Sequence, residues 1–346
     1  MGSCFIKCLL KQESDQMKQV QKLKKELAAA IVSLMIAATC LTSATYAWYV
    51  ANNTVKATTS SISAKTNGFI LQIATLAEGA QHGGEQKSLE AMTTGATLSP
   101  ASTDNLEDWY VCQSWDNQGF VTDYSIPSFE TGTGAIPGNY KVAGKDYYAF
   151  IKSDYIVYTI TSTGTADVYL EDDGTEPPIV VTTNNGVGST TVKDSLRVAI
   201  TTQEIDASGN PVGTEALKVV YATKDETGKG NDQSAINGWT GIKKSGSSGV
   251  LAESTYTHIY GTPHTAGEPY NDQNGNNWVA KRDGENYSVE SGTMPIATDV
   301  GYDGIIVHVY IWMEGTDADC VNGKSIEDDP STYDVTVKLA GVATGN

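Results

Sequence analysis

The sequence is poor in the residues on which catalytic centres are usually built. Its four histidines, at positions 82, 258, 264 and 308, form no HExxH motif, and its five cysteines form no CxxC pair, so the common zinc patterns are absent. Gly323-Lys324-Ser325 ends like a phosphate loop, but Ala318 stands where the opening glycine belongs, and the tripeptide reads as a turn. Gly246-Ser247-Ser248-Gly249 does not satisfy GxSxG, and no serine is framed by a histidine and an acid. A noncatalytic protein is expected. Positive charge is scarce once the leader is passed: residues 1 to 26 hold six lysines against three acids, and the rest of the 346 residues holds 17 bases against 38 acids. A surface that acidic repels nucleic acid and anionic lipid, which removes nucleic acid from the expected partners.

Charge of either sign is missing from Leu27 to Val55, and Leu27 to Leu41 is almost wholly Ala, Ile, Val, Leu and Met. This predicts one N-terminal hydrophobic helix of membrane length. Lys18, Lys22, Lys24 and Lys25 precede it, so the positive-inside rule holds the N-terminus in the cytoplasm and sends the following chain across. The small-residue run Thr42-Ser43-Ala44-Thr45-Tyr46-Ala47 offers signal-peptidase sites after Ala44 or Ala47, the second cutting between Ala47 and Trp48. A retained signal anchor is the alternative, because the basic region is long for a simple signal peptide. The type IV pilin pattern fails, since Gln21 would precede the cut, and Leu339 to Asn346 carries no LPxTG signal. The expected location is secreted or cell-surface, with the N-terminal segment in the cytoplasmic membrane before processing.

Helix signals are nearly absent beyond that segment. Short runs of β-branched and aromatic residues, bounded by Gly, Asn, Asp and Pro, predict strands at Phe69 to Leu76, Tyr155 to Thr161, Asp167 to Glu171, Ile179 to Thr183, Leu196 to Thr202, Leu217 to Thr223, Ile305 to Met313 and Tyr333 to Leu339. Eight strands suffice for an antiparallel two-sheet β-sandwich. In the run at 196, Leu196, Val198 and Ile200 face one way and Arg197 and Thr201 the other, the pattern of a half-wet strand. The run at 305 is apolar nearly throughout, broken by His308, and predicts a central strand covered on both faces with His308 hydrogen-bonded in the core. Ser162-Thr163-Gly164-Thr165 and Ala207-Ser208-Gly209-Asn210-Pro211 read as hairpin turns between antiparallel neighbours. Residues 77 to 146 and 224 to 300 resist strand assignment and read as long irregular insertions.

Three sets of side chains are candidates for chemistry. Cys112 and Cys320 lie in the folded part and are either two separate thiols or one disulfide; a bridge would close a loop of about two hundred residues, adding on the order of 4 kcal/mol. Glu314, Asp317 and Asp319 could supply hard oxygen ligands to calcium, as could Glu171, Asp172 and Asp173, or Asp272, Asn274 and Asn276. Each set also reads as a solvated turn, and no cofactor is otherwise expected. Trp109, Tyr110, Trp115, Trp239 and Trp278 lie in the irregular stretches, where they either stack on sugars or anchor their own loops.

The junction Ala44-Thr45-Tyr46-Ala47-Trp48-Tyr49-Val50-Ala51-Asn52-Asn53-Thr54-Val55, followed by Ile62-Ser63-Ala64, resembles the start of the TasA/camelysin class of exported proteins of Gram-positive bacteria. The stretch from Tyr158 to Leu170, a strand, a Ser-Thr-Gly turn and a second strand reading Asp-Val-Tyr, is similar to that class as well. The resemblance implies a jelly-roll-like sandwich, processing by a dedicated signal peptidase, and self-assembly into homopolymeric fibres of a biofilm matrix. It also implies a donor strand from Trp48 to about Thr58, including Tyr49, Val50, Ala51 and Val55, that completes the next subunit's sheet. A plain linker is the other reading of that segment. Some camelysin-type relatives are described as metalloproteases, a label that does not transfer without the zinc motif. The expected organisation is a signal peptide or anchor at 1–47, a donor strand or linker at 48–66, and the sandwich at 67–346. A membrane-anchored adhesin or glycan-binding module is the alternative function.

Overall fold

The computed structural model describes residues 53–57, 71–80, 96–103, 106–115, 121–160, 162–175, 178–184, 195–222, 242–243, 250–252, 260–261, 277–283, 286–315, 320 and 331–344. The chain divides between Tyr49 and Val50, and every described residue belongs to the second unit. The predicted N-terminal helix lies outside the described residues. Among those described, every helix or strand element is a strand, and the strands form several sheets. The described part of the molecule is all-β.

The largest sheet is built around β20 (Ile305–Glu314). On one edge β20 pairs antiparallel with β12 (Leu196–Ile205), from Leu196 opposite Met313 to Gln203 opposite Ile306. Its other edge pairs antiparallel with β9 (Ile151–Thr159) and, past the end of β9, parallel with β4 (Pro100–Thr103) at Met313 and Glu314. From β9 the sheet extends to β2 (Leu71–Thr75), from β4 to β5 (Trp109–Trp115) and β6 (Val121–Ser125), and from β12 to β13 (Pro211–Ala222) and the short β16 (Tyr260–Gly261). A second sheet centres on β10 (Ala166–Asp172), flanked by β22 (Leu339–Ala343), β19 (Ala297–Val300) and β17 (Val279–Asp283), with β18 (Asn286–Ser288) beyond β17. A third runs β11 (Ile179–Asn184), β21 (Ser331–Val337), β1 (Asn53–Ala57), β3 (Ala96–Thr97). The pairs β7 (Asn139–Val142) with β8 (Lys145–Tyr148) and β14 (Ile242–Lys243) with β15 (Val250–Ala252) complete the set.

All eight predicted strand runs carry strands, because β-branched and aromatic side chains suit a pleated, buried surface. The turn at 207–211 joins β12 to β13 as expected. The Asp206 carboxylate accepts the backbone N–H groups of Ser208 and Asn210, at 2.8 and 2.9 Å, and Gly209 takes φ 80°. The turn at 162–165 does something else. It does not make β9 and β10 neighbours: β9 pairs with β2 and β20, and β10 with β17, β19 and β22. Thr159 bonds instead to Gly301 and to the Gly164 carbonyl, so the turn carries the chain from one sheet into another.

Two further expectations are corrected. β12 is not half-wet, since Arg197 is 1 % exposed and Thr201 2 %; both of its faces are covered. Residues 77–146 and 224–300 are not irregular throughout, for they hold β3 to β8 and β14 to β19. Their strands are short and carry polar residues, as in Lys145–Tyr148, which hides them from a reading based on apolar runs.

One face of the central sheet is the apolar core: Leu71, Ile73, Tyr155, Val157, Val198, Ile200, Val307, Val309, Ile311 and Met313 are each at most 2 % exposed. Burial on this scale contributes about 1.5–3 kcal/mol for each large aliphatic side chain. Gly304 lets the chain enter β20 close against β9, at φ 86°, where a Cβ would meet the Val157 carbonyl oxygen at 2.7 Å.

Candidate functional site

The opposite face of the same strands carries a connected charged network. β-Pleating sends residues i and i+2 to one side, so Lys152 and Asp154 of β9 and His308 and Tyr310 of β20 point the same way. The register sets Tyr310 opposite Lys152 and His308 opposite Asp154, with Thr201 of β12 opposite His308. Glu215 of β13 closes the group. Its carboxylate accepts from the Lys152 ammonium, from the Tyr310 hydroxyl at 2.7 Å and from the Thr201 hydroxyl at 2.9 Å. The Lys152 ammonium also stands 5.3 Å from the centre of the Tyr310 ring.

His308 is 2 % exposed and is held from both sides. Nδ1 lies 2.6 Å from Asp154 Oδ1, while Nε2 lies 3.2 Å from Gln203 Oε1 and 3.7 Å from Glu215 Oε1. The Gln203 amide donates to the Gly213 carbonyl at 3.0 Å, which orients its oxygen toward the ring. Both ring nitrogens therefore face side-chain oxygens. His308 is the hydrogen-bonded core histidine expected from its strand.

Burial pushes the Asp154 carboxyl up, but the hydrogen bond from His308 and the charges of His308 and Lys152 outweigh it and hold the group below its ordinary range. Glu215 is likewise pushed up by burial and pulled further down by its bonds from Lys152 and Tyr310 and by the charges of His308 and Lys152. Burial, then the bond to Glu215 and the charges of Glu215 and Asp154, drive the Tyr310 hydroxyl far above the ordinary phenol range. Each group is matched to a partner inside the network. Both ring nitrogens of His308 are engaged by partners inside this arrangement.

Sequence reasoning singled out His308 and missed Lys152, Asp154, Glu215 and Tyr310. The available signal was their i, i+2 spacing on strands, but only the register shows that they meet.

Beside the network lies an aromatic cluster. Phe150 packs 5.6 Å from Tyr310 and stacks on Trp109 at 4.3 Å, and Trp109 meets Trp312 edge-on at 5.7 Å. Trp109, Tyr110 and Trp278 are 3, 9 and 4 % exposed, so these three are packing anchors and not sugar platforms. Trp239 and the side chain of Trp115 lie outside the described residues.

Glu314 is fully buried and accepts from Trp312 Nε1 at 3.0 Å; Asp317 and Asp319 lie outside the described residues, as do Asp272, Asn274 and Asn276. Glu171 accepts from the Tyr287 hydroxyl at 2.6 Å, Asp172 from the Gly174 N–H at 2.8 Å, and Asp173 from Lys338 Nζ at 2.9 Å. Among the described residues no three His, Cys, Asp or Glu side chains gather in a way that could hold a metal ion. Cys112 and Cys320 are both completely buried, and no S–S bond joins them.

Of the expected donor strand, 53–57 is described and forms β1; Ala47, Trp48, Tyr49, Val50 and Ala51 lie outside the described residues. β1 occupies an inner place in its sheet. It runs parallel to β21 over five residue pairs, from Asn53 opposite Ser331 to Ala57 opposite Val335, and antiparallel to β3 over two. Val55 stands opposite Tyr333 on one edge and Ala96 on the other.

Comparison of the chain with protein-family models, with curated proteins and with solved structures gives no match.

Proposed function

We propose that this chain is a noncatalytic subunit of an extracellular fibre, exported through its hydrophobic leader and assembled by strand addition, on a jelly-roll-like sandwich of the TasA/camelysin kind. The observation that supports the reading most is the place of β1. An N-terminal segment, separated in sequence from both neighbours, fills a slot between β21 and β3 and runs parallel to the strand near the far end of the chain. Main-chain hydrogen bonds of that kind are indifferent to which copy supplies the strand. With β1 withdrawn, Ser331 to Val335 become an open edge, the template on which strands of another chain pair. The same segment from a second copy then satisfies it.

Removing residues 48–58 from the processed domain is expected to leave a folded monomer that forms no filaments in electron micrographs and that binds a synthetic Trp48-to-Thr58 peptide. Filaments formed by the truncated protein would sink the donor-strand reading.

A glycan-binding surface module is the second reading. It is favoured by a cleft of about 420 Å³ whose lining includes Ile156, Ile205, Asp206, Tyr302 and Asp303, with Tyr302 37 % exposed. An aromatic face beside carboxylates suits a sugar ring. Loss of glycan retention in Tyr302→Ala, with folding intact, would support it; retention equal to wild type would dismiss it.

A further inference from the structure

We propose that Lys338 and Asp173 condense to an intramolecular isopeptide bond, with Glu171 as the proton carrier. The structure presents the reactants in place. Lys338 is 7 % exposed, and its Nζ lies 2.9 Å from Asp173 Oδ2. Asp173 Oδ1 accepts the backbone N–H of Thr175 at 2.9 Å and the Thr175 hydroxyl at 2.6 Å. One oxygen of the carboxyl thus faces the amine, and the other sits against two donors, where the negative charge of a tetrahedral intermediate develops. The third member is Glu171, which is 3 % exposed. The antiparallel pairing of β10 with β22 runs to Leu170 opposite Leu339, and the Glu171 N–H continues it by donating to the Lys338 carbonyl at 3.0 Å. Glu171 therefore stands opposite Lys338, and opposed residues project side by side from one face. Tyr169, two residues before Glu171, packs on that face with Ala280, Tyr287 and Ala340, a lining of aromatic and small apolar side chains. Burial pushes the Glu171 carboxyl up against the bond from Tyr287 and the charge of Arg282, which favours the protonated acid that a carrier needs.

The ammonium first passes one proton to Asp173 Oδ2, leaving an amine beside a carboxylic acid. The Nζ lone pair then forms a bond to Asp173 Cγ, and the carbonyl electron pair moves onto Oδ1, held by the two Thr175 donors. Glu171 takes a proton from Nζ on one oxygen and delivers its own from the other to Oδ2. The Cγ–Oδ2 bond breaks and Oδ2 leaves as water. An ammonium and a carboxylate become one amide and one water, with no oxidant or reductant. Contact between the reacting groups makes the step unimolecular, and it removes two charges whose burial is costly. The bond ties the end of β10 to Lys338 at the junction of β21 and β22, so it joins the second sheet covalently to the strand that receives β1. The proposal does not rest on the fibre reading.

The experiment uses the full chain, folded and purified in detergent, then denatured and digested with trypsin for mass spectrometry. Cleavage after Lys338 is expected to be lost. The peptide containing Lys338 should appear joined to the peptide containing Asp173, lighter than the two together by one water. Lys338→Arg and Glu171→Gln, each shown to be folded by circular dichroism, should give the two peptides separately at their sequence masses. Cleavage after Lys338 in the folded parent, with both peptides at their sequence masses, would overturn the proposal without reference to any variant. A joined peptide in Glu171→Gln at the parent's yield would remove Glu171 as the proton carrier.

Discussion

The central sheet has two faces made by the same strands, and they solve burial differently. Val307, Val309, Ile311 and Met313 of β20 fill one side with hydrocarbon; His308, Tyr310, Trp312 and Glu314 carry hydrogen-bonding and ionisable groups into the other. On the apolar face the stabilisation is non-directional and follows area removed from water. On the charged face it depends on each group meeting a partner, because a buried charge without one costs several kcal/mol. The first face tolerates small shifts of strand position. The second does not, so we read the network as the device that holds β9, β12, β13 and β20 in register.

Four substitutions sharpen that contrast. The largest effect is expected on the apolar face, where Ile311→Ala removes a fully buried side chain and should cost about 2–5 kcal/mol in urea unfolding, with the register intact. On the charged face Glu215→Gln keeps the shape and removes the charge that receives Lys152 and Tyr310. A loss of about 1–3 kcal/mol is expected, together with faster amide exchange along β13. If Glu215→Gln leaves exchange along β13 unchanged, the register role is wrong.

The smallest effect is in pH dependence. Asp154 and Glu215 are held below the ordinary carboxyl range. Their contribution is complete above about pH 4, where unfolded carboxyls are ionised, and is lost as the pH falls through the lower folded values. Glu171, in the β10 sheet, has the opposite sign. Burial raises it and outweighs its bond from Tyr287 and the charge of Arg282. Its contribution is present below the ordinary carboxyl range and is lost as the pH rises through its folded value. Urea midpoints measured against pH should therefore show a flatter acid limb for Asp154→Asn and Glu215→Gln, and a flatter slope just above the carboxyl range for Glu171→Gln. Parallel curves for all three would mean that these carboxyls titrate alike in the folded and unfolded chain.

Much of the strand content was legible, and for a local reason. Runs such as Ile305 to Met313 and Leu196 to Thr202 announce themselves by side-chain type, and Ala207 to Pro211 announces a turn by residues that accept backbone N–H groups or a positive φ. The covered state of β20 and the bonded state of His308 followed from the absence of alternation in that run. Alternation misleads at Arg197, since a charged residue that points away from one core need not point at water: Arg197 is 1 % exposed. Short strands such as Lys145–Tyr148 were missed because they lack an apolar run.

Which strands pair is not a local property. The Ser-Thr-Gly turn after β9 has the chemistry of a hairpin, yet β9 belongs with β2 and β20 and β10 with β17, β19 and β22. Residues 154, 215 and 308 are far apart along the chain and meet only through three strand registers, β9 with β20, β20 with β12 and β12 with β13. Residue type and two-residue alternation set where the chain runs extended and where it turns. Partners, register, and the burial of both faces come from contacts between distant segments, whose free energy appears only when the sheets close over one another.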